Sequence, residues 1–157
     1  MRDLDGSLFG PNQPCFGCAP DHPFGLRLKF TDEGEEVVTR FTPEGHHQGA
    51  PGVMHGGLVF TLADELAAWV VIARLGKFGF TTHFSGKLQR PARPGLELTG
   101  RARMTASTTR TASVDAEVQQ GEERIFAASF KFVLPDRQAA EKLLGRPLPE
   151  EWLRFSR

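Results

Sequence analysis

Neither sign of charge is in excess in this 157-residue chain, where 19 Lys and Arg balance 19 Asp and Glu. A balanced chain exerts no global pull on nucleic acid or on an anionic membrane, so any basic site must be a local patch. Long apolar runs are also missing. The longest, residues 66–73, is too short to cross a bilayer and directly follows Asp64 and Glu65. Residues 1–14 are polar and turn-rich, without the pattern of a secretory signal. These absences predict a soluble, cytoplasmic protein with no nucleic-acid or membrane partner. Cysteine is scarce: Cys15 and Cys18 form one Cys-Phe-Gly-Cys pair, which is not a disulfide framework. His22 stands at a plausible spacing for a third metal ligand. A structural zinc, however, wants four ligands, and no second half-site follows. A redox pair would sit at a strand-to-helix turn, whereas Pro14, Gly17 and Pro20 mark a loop. The pair is therefore expected to be a structural turn, with no metal and no cofactor. There is no internal repeat and no second domain, and the length suits one domain with a sizeable core.

What is present is a clear alternation of periods. Residues 1–24 are rich in Gly, Pro, Asn and Asp and read as an irregular arm. Leu26, Leu28 and Phe30 alternate with polar residues and predict a half-buried strand, and residues 36–41 return as a second. A loop at 42–54 holds three Gly, two Pro, His46, His47 and Gln48. A helix at about 56–75 is apolar on nearly every face and so should be buried on nearly every face. Four strands follow, at about 81–90, 96–106, 112–118 and 126–134, with a hairpin turn at 120–123. Pro135 stops the last, and Asp136 caps a short helix in a C-terminal extension, 136–157, with a further turn of helix at 149–155. The order is strand, strand, helix and four strands, an α+β arrangement in which an antiparallel sheet wraps one helix. A single sheet covers only part of such a helix. A second copy of the chain is the natural cover, so a homodimer or a homotetramer built as a dimer of dimers is expected.

The helix start carries chemical possibilities. A helix N-terminus presents unpaired N–H groups and the positive end of the dipole, and glycines let a ligand come close. His55-Gly56-Gly57 is thus placed to hold a carbonyl oxygen and the oxyanion formed on attack, although Gly-Gly before a helix is often only a tight turn. Further along, Gly57, Thr61, Asp64 and Ala68 make one narrow stripe of small or polar residues, as in a cleft wall. Asp64 is a carboxylate in an apolar helix, which needs a partner or a use. Glu65 lies about 100° further round the helix and is expected to pair with Arg or Lys at an interface. Eight residues separate Gly56 from Asp64, about 12 Å of helix axis. A reacting carbon must sit about 3 Å from both oxyanion donor and attacking group. If both act in one site, they must come from two chains.

The segment Val53-Met54-His55-Gly56-Gly57-Leu58-Val59-Phe60-Thr61-Leu62-Ala63-Asp64-Glu65 resembles the central motif of the PaaI-like branch of hotdog-fold thioesterases. The resemblance spans about residues 15–134, a hotdog domain at 25–135, and includes the Arg90-Pro91 strand ending and the Cys-Phe-Gly-Cys…Pro-Phe-Gly-Leu entry of some relatives. It implies hydrolysis of an acyl-CoA to free acid and CoA without metal or organic cofactor. Asp64 matches the catalytic acid, acting as nucleophile or as base, and the Gly56 N–H matches the oxyanion donor. His55 would shape the loop or contact the thioester oxygen, with Gly57 beside it. Relatives place Asn or Gln six residues before the His. Here Gly49 stands there and Gln48 is one earlier, which makes Gln48 the candidate for orienting water or substrate. Thr81 matches a hydroxyl near the start of the third strand, while Thr82 should face the helix with Phe84 and Leu88. Arg90, Arg93 and Arg110 are candidates for the CoA phosphates.

Two other readings share this pattern. A hydroxyacyl-thioester dehydratase would use His46 or His47 with an acid, but their spacing from Asp64 does not match that pattern. A non-catalytic acyl-CoA-binding module would not need Asp64. No helix pair or basic segment for DNA is attached.

Overall fold

The computed structural model describes residues 1–156. Its elements run β1 (Arg2–Asp5), β2 (Lys29–Asp32), β3 (Val37–Phe41), α1 (Gly56–Leu75), β4 (Phe80–Leu88), β5 (Leu98–Ser107), β6 (Thr111–Gln120), β7 (Glu123–Val133) and α2 (Arg137–Leu144), with short 3-10 turns between and after them. All strands join one antiparallel sheet in the order β1-β2-β3-β5-β6-β7-β4. The sheet curls around α1, the hotdog architecture expected from the sequence.

The helix ends where its residues say it should. His55 caps the start, accepting the Gly57 N–H on Nδ1. Gly76 closes the end with φ 61°, a left-handed cap that favours glycine. Val59, Leu62, Ala63, Leu66, Ala67, Val70 and Val71 press on the sheet and are fully covered. Close approach needs a bare backbone at Gly100, where a Cβ would sit 2.9 Å from the Leu66 side chain. Trp69 stacks on Phe30 with ring centroids 5.0 Å apart and meets the edge of Phe9 at 5.8 Å.

The arm at 1–24 is more than an irregular covering. Residues 2–5 add a seventh strand, β1, on β2. Leu4, Phe9 and Cys18, and at the other end Ala140, Leu148 and Phe155, enter the same core as the helix. The predicted arm, domain and extension therefore share one core. The alternation at Leu26 and Leu28 is not yet strand. Arg27 has φ 51°, and the backbone N–H groups of Leu26 and Leu28 donate to Phe16 and Gly17 carbonyls of the cysteine loop. Pairing with β3 begins only at Phe30.

Burial is lopsided around α1. Gly57, Thr61, Asp64 and Ala68, the predicted stripe, stay uncovered or half-covered, and Leu58, Phe60, Glu65 and Ile72 around them are half-covered too. Beside the stripe runs β4, the edge strand, whose residues from Thr81 to Leu88 are all exposed. Phe84 and Leu88 each keep 50% of their surface open to solvent although Phe84 leans on Phe60 and Phe130. The helix is thus buried on every side but one.

Candidate active site

The first turn of α1 offers one open donor. His55 O accepts from Leu58 and Val59, and His55 Nδ1 accepts from Gly57 at 2.9 Å. Among the described residues, the Gly56 N–H donates to nothing. His55 therefore shapes the turn, and by taking the Gly57 donor it singles out Gly56. With Nδ1 accepting, a neutral imidazole carries its proton on Nε2. Gly56 borders a cleft of about 350 Å³ lined by Val53, Met54, Val59, Leu88, Arg90 and Ala92, among others. A Cβ on residue 56 would lie 2.9 Å from Leu88 Cδ1, so glycine keeps the donor accessible beside β4.

Asp64 lies two turns further on, in the uncovered stripe. Its Oδ1 accepts a 2.6 Å hydrogen bond from the Thr81 hydroxyl, and no cation pairs with it among the described residues. Burial pushes its carboxyl above the usual range, and the Thr81 hydrogen bond pulls part of the way back. When charged, such a group is poorly solvated, a state suited to a base or nucleophile. Within one chain Gly56 and Asp64 do not meet. Gly56 packs at the Leu88 end of β4, and Asp64 bonds at the Thr81 end.

Thr81 reaches Asp64 through an irregularity that the residue pattern does not show. Strict alternation assigns Thr82 to the helix side with Phe84. The β4–β7 register instead slips between Thr81 and His83. Thr82 is the extra residue, and its hydroxyl turns to the Lys131 carbonyl at 3.2 Å. One inserted residue reverses the facing of everything before it, so Thr81 and not Thr82 looks at α1.

Several other expected residues are accounted for differently. Gln48 is committed at both ends to its own loop: its Nε2 donates to Gly45 O at 2.8 Å and its Oε1 accepts the Gly52 N–H at 2.5 Å. This holds the loop that carries His55. Within the chain Glu65 makes no ion pair with Arg or Lys among the described residues. It accepts instead from the Trp69 indole N–H at 3.2 Å and from the Cys15 thiol at 3.4 Å, and burial raises its pKa. The cysteines lie 50 residues away in the chain, so spacing gives no sign of this partner. His47 is buried with its Nδ1 accepting the Glu44 N–H at 2.8 Å, and burial holds its pKa down. His46 stays outside near Glu44. Neither meets Asp64 within the chain. Arg90 lines the Gly56 cleft, and Arg93 lies beside it, donating to Gly52 O at 3.1 Å. Arg110 sits in the β5–β6 turn, where its carbonyl accepts from Leu134, at the Asp64 end of the sheet. One chain therefore does not gather the three arginines. A second hollow of about 480 Å³ lies on the outer face of the sheet between Arg101, Asp115, Ala127 and Ser129, away from both groups.

The fold and this helix define a hotdog-fold protein of the thioesterase kind. The thioesterase superfamily model matches residues 51–127, which hold the helix start, Asp64, β4, β5 and β6. Solved structures share the fold. A candidate thioesterase related to phenylacetic acid degradation, from Ralstonia eutropha JMP134, superposes with a TM-score of 0.64 at 22% identity, over 69% of this chain and 86% of that one. A hypothetical thioesterase from Streptococcus pneumoniae TIGR4, solved with coenzyme A, gives 0.64 at 23% identity over 68% and 84%. A protein of Streptococcus mutans UA159 bound to acetyl CoA gives 0.64 at 22% identity over 68% and 87%. No curated protein sequence matches the chain. Among the described residues no helix is long and apolar enough to cross a membrane.

Proposed function

We propose that this chain is an acyl-CoA thioesterase of the PaaI-like branch, working as a homodimer in which Gly56 of one copy faces Asp64 of the other. The observation that carries the reading is Asp64 itself, a half-buried carboxyl without a cation among the described residues, held by Thr81 on the incompletely covered face of the helix. Two copies joined along β4 would cover that stripe, the exposed edge, Phe84 and Leu88 together. Joined head to tail, they would set the Gly56 end of one chain against the Asp64 end of the other. Arg110 of one copy would then approach Arg90 and Arg93 of the other, a basic rim for the phosphates of CoA. The coenzyme A and acetyl CoA of the two streptococcal proteins favour this ligand class.

In this arrangement the thioester carbonyl oxygen accepts the Gly56 N–H, backed by the helix dipole. Asp64 either attacks the carbonyl carbon or takes a proton from a water that does so. A C–O bond forms, the oxyanion collapses, the C–S bond breaks, and CoA leaves as thiolate. A thiol pKa near about 8.5 makes that a good leaving group needing little help from an acid. Water supplies the oxygen of the acid product and the proton that ends on CoA; on the nucleophilic route it does so by cleaving the mixed anhydride formed with Asp64, which restores the carboxylate. The testing experiment is release of free thiol from short, long and aromatic acyl-CoAs by the purified chain. Turnover of at least one class is expected, and binding without release from any would favour a non-catalytic acyl-CoA module.

Thr81 is a positioning residue for Asp64, and that role is separable from packing. Thr81→Val removes a hydrogen bond to a charged group, and kcat/KM should fall about tenfold or more. The bond also lowers the Asp64 pKa, so its loss raises that pKa and moves the acidic limb of the pH–rate profile to higher pH. Thr82→Val, one residue on but facing β7, should leave both rate and profile unchanged.

A further inference from the structure

Cys15 and Cys18 stand far from Glu65 in the chain, yet the two sulfurs and a carboxylate oxygen all lie within 4.8 Å of one another. Cys15 Sγ is 3.4 Å from each Glu65 oxygen. The loop is built to hold this approach. Ala19 donates to Cys15 O at 3.0 Å, closing the turn. Buried Gln13 accepts the Cys15 N–H on Oε1 at 2.9 Å and brings its Nε2 to 3.8 Å from Cys18 Sγ. Gly17 crosses directly over Glu65, where a Cβ would lie 2.6 Å from the carboxyl carbon. Only a bare backbone passes there.

This cluster poses a charge problem. Glu65 is withdrawn from water and has no Lys, Arg or His partner among the described residues. A carboxylate in that position is costly unless something positive compensates it. Two thiols and a carboxyl converging on one point are a donor set for a borderline-soft divalent ion. Tetrahedral zinc with ordinary Zn–S and Zn–O lengths requires S···O separations of about 3.6 Å and an S···S separation of about 3.8 Å. The 3.4 Å contacts already lie close to that value. We propose that Cys15, Cys18 and Glu65 form a three-ligand site for one zinc-class divalent ion, with water in the fourth position. Such an ion ties the N-terminal loop to α1 one residue from Asp64. With water as one ligand the site is open, unlike a closed four-ligand structural zinc, and it takes no part in the proposed hydrolysis.

The test uses the full chain, reduced and freed of metal. Zinc is titrated in competition with a chromophoric chelator, and Co2+ is added separately as a spectroscopic probe. One equivalent of either ion per chain is expected. Co2+ should give a thiolate charge-transfer band and the intense visible bands of a tetrahedral site, and zinc should change Trp69 emission through Glu65. Cys15→Ser and Cys18→Ser should abolish the charge-transfer band or weaken it strongly. Glu65→Gln, which preserves shape, should lower zinc affinity about tenfold or more. Absence of uptake by the reduced wild-type chain overturns the proposal. So does uptake undiminished in Cys15→Ser and Glu65→Gln. A chain that forms a Cys15–Cys18 disulfide in air and binds no ion once reduced also overturns it, and identifies the pair as a redox couple.

Discussion

Asp64→Asn is expected to lower kcat by about 10²–10⁴-fold, the range lost with a positioned base or nucleophile, while the protein melts no lower than wild type. The two halves of this result come from one cause. Burial raises the Asp64 pKa, so the folded state holds the protonated form more tightly than the unfolded chain does. A raised carboxyl pKa contributes stability that is complete below the unfolded value and is lost as pH rises through the folded value. Once ionised, the group therefore costs the fold something. The amide keeps the shape and can still accept from Thr81, and it removes the charge. A thermal melt beside a thiol-release assay reads both halves. Near-normal turnover in Asp64→Asn would sink the assignment, and loss of both activity and folding would make Asp64 a structural residue. A melt that stays level or rises while turnover disappears marks a group kept at the expense of stability.

The second large effect is restoration of activity by mixing two dead variants. Gly56→Pro removes the proposed oxyanion donor at the one helical position where proline fits best, the first. His55 already has the extended backbone, φ −57° and ψ 127°, that a following proline requires. A Cβ there meets only the flexible tip of Leu88. A loss of about 10²–10³-fold in kcat is expected. Asp64→Asn is dead for its own reason. Refolded together in equal amounts, the chains should recover about a quarter of wild-type activity. Half the dimers are then mixed, and one of the two sites in each mixed dimer carries neither lesion. If each site lay within one chain, every site would carry a lesion and mixing would restore nothing. The experiment thus separates a composite site from a self-contained one without any structure of the dimer.

Much of the site is legible in the residues because it is local. The helix was placed at 56–75 by its apolar run and its glycines, and it spans those residues. The stripe of Gly57, Thr61, Asp64 and Ala68 follows from helical periodicity and is the face left uncovered. The 12 Å between Gly56 and Asp64 is arithmetic on a helix and needs no coordinates. Thr82 shows where such reading stops. Alternation is a local rule, and a one-residue slip in pairing with β7 depends on a strand some 50 positions away. Leu26 and Leu28 fail for a similar reason: their alternation is real, but their backbone hydrogen bonds go to the cysteine loop and not to a strand.

The sequence by itself therefore determined the order of elements from β2 onward, the buried helix, its glycine start and the acid on its open face. Each depends on periodicity or on the conformational freedom of single residues. Only the tertiary structure decided which threonine meets Asp64, that Gln48 serves its own loop, and that Glu65 faces two cysteines. Those are contacts between segments far apart in the chain, fixed by strand register and by how the arm wraps the core, and neither leaves a periodic trace in the residues.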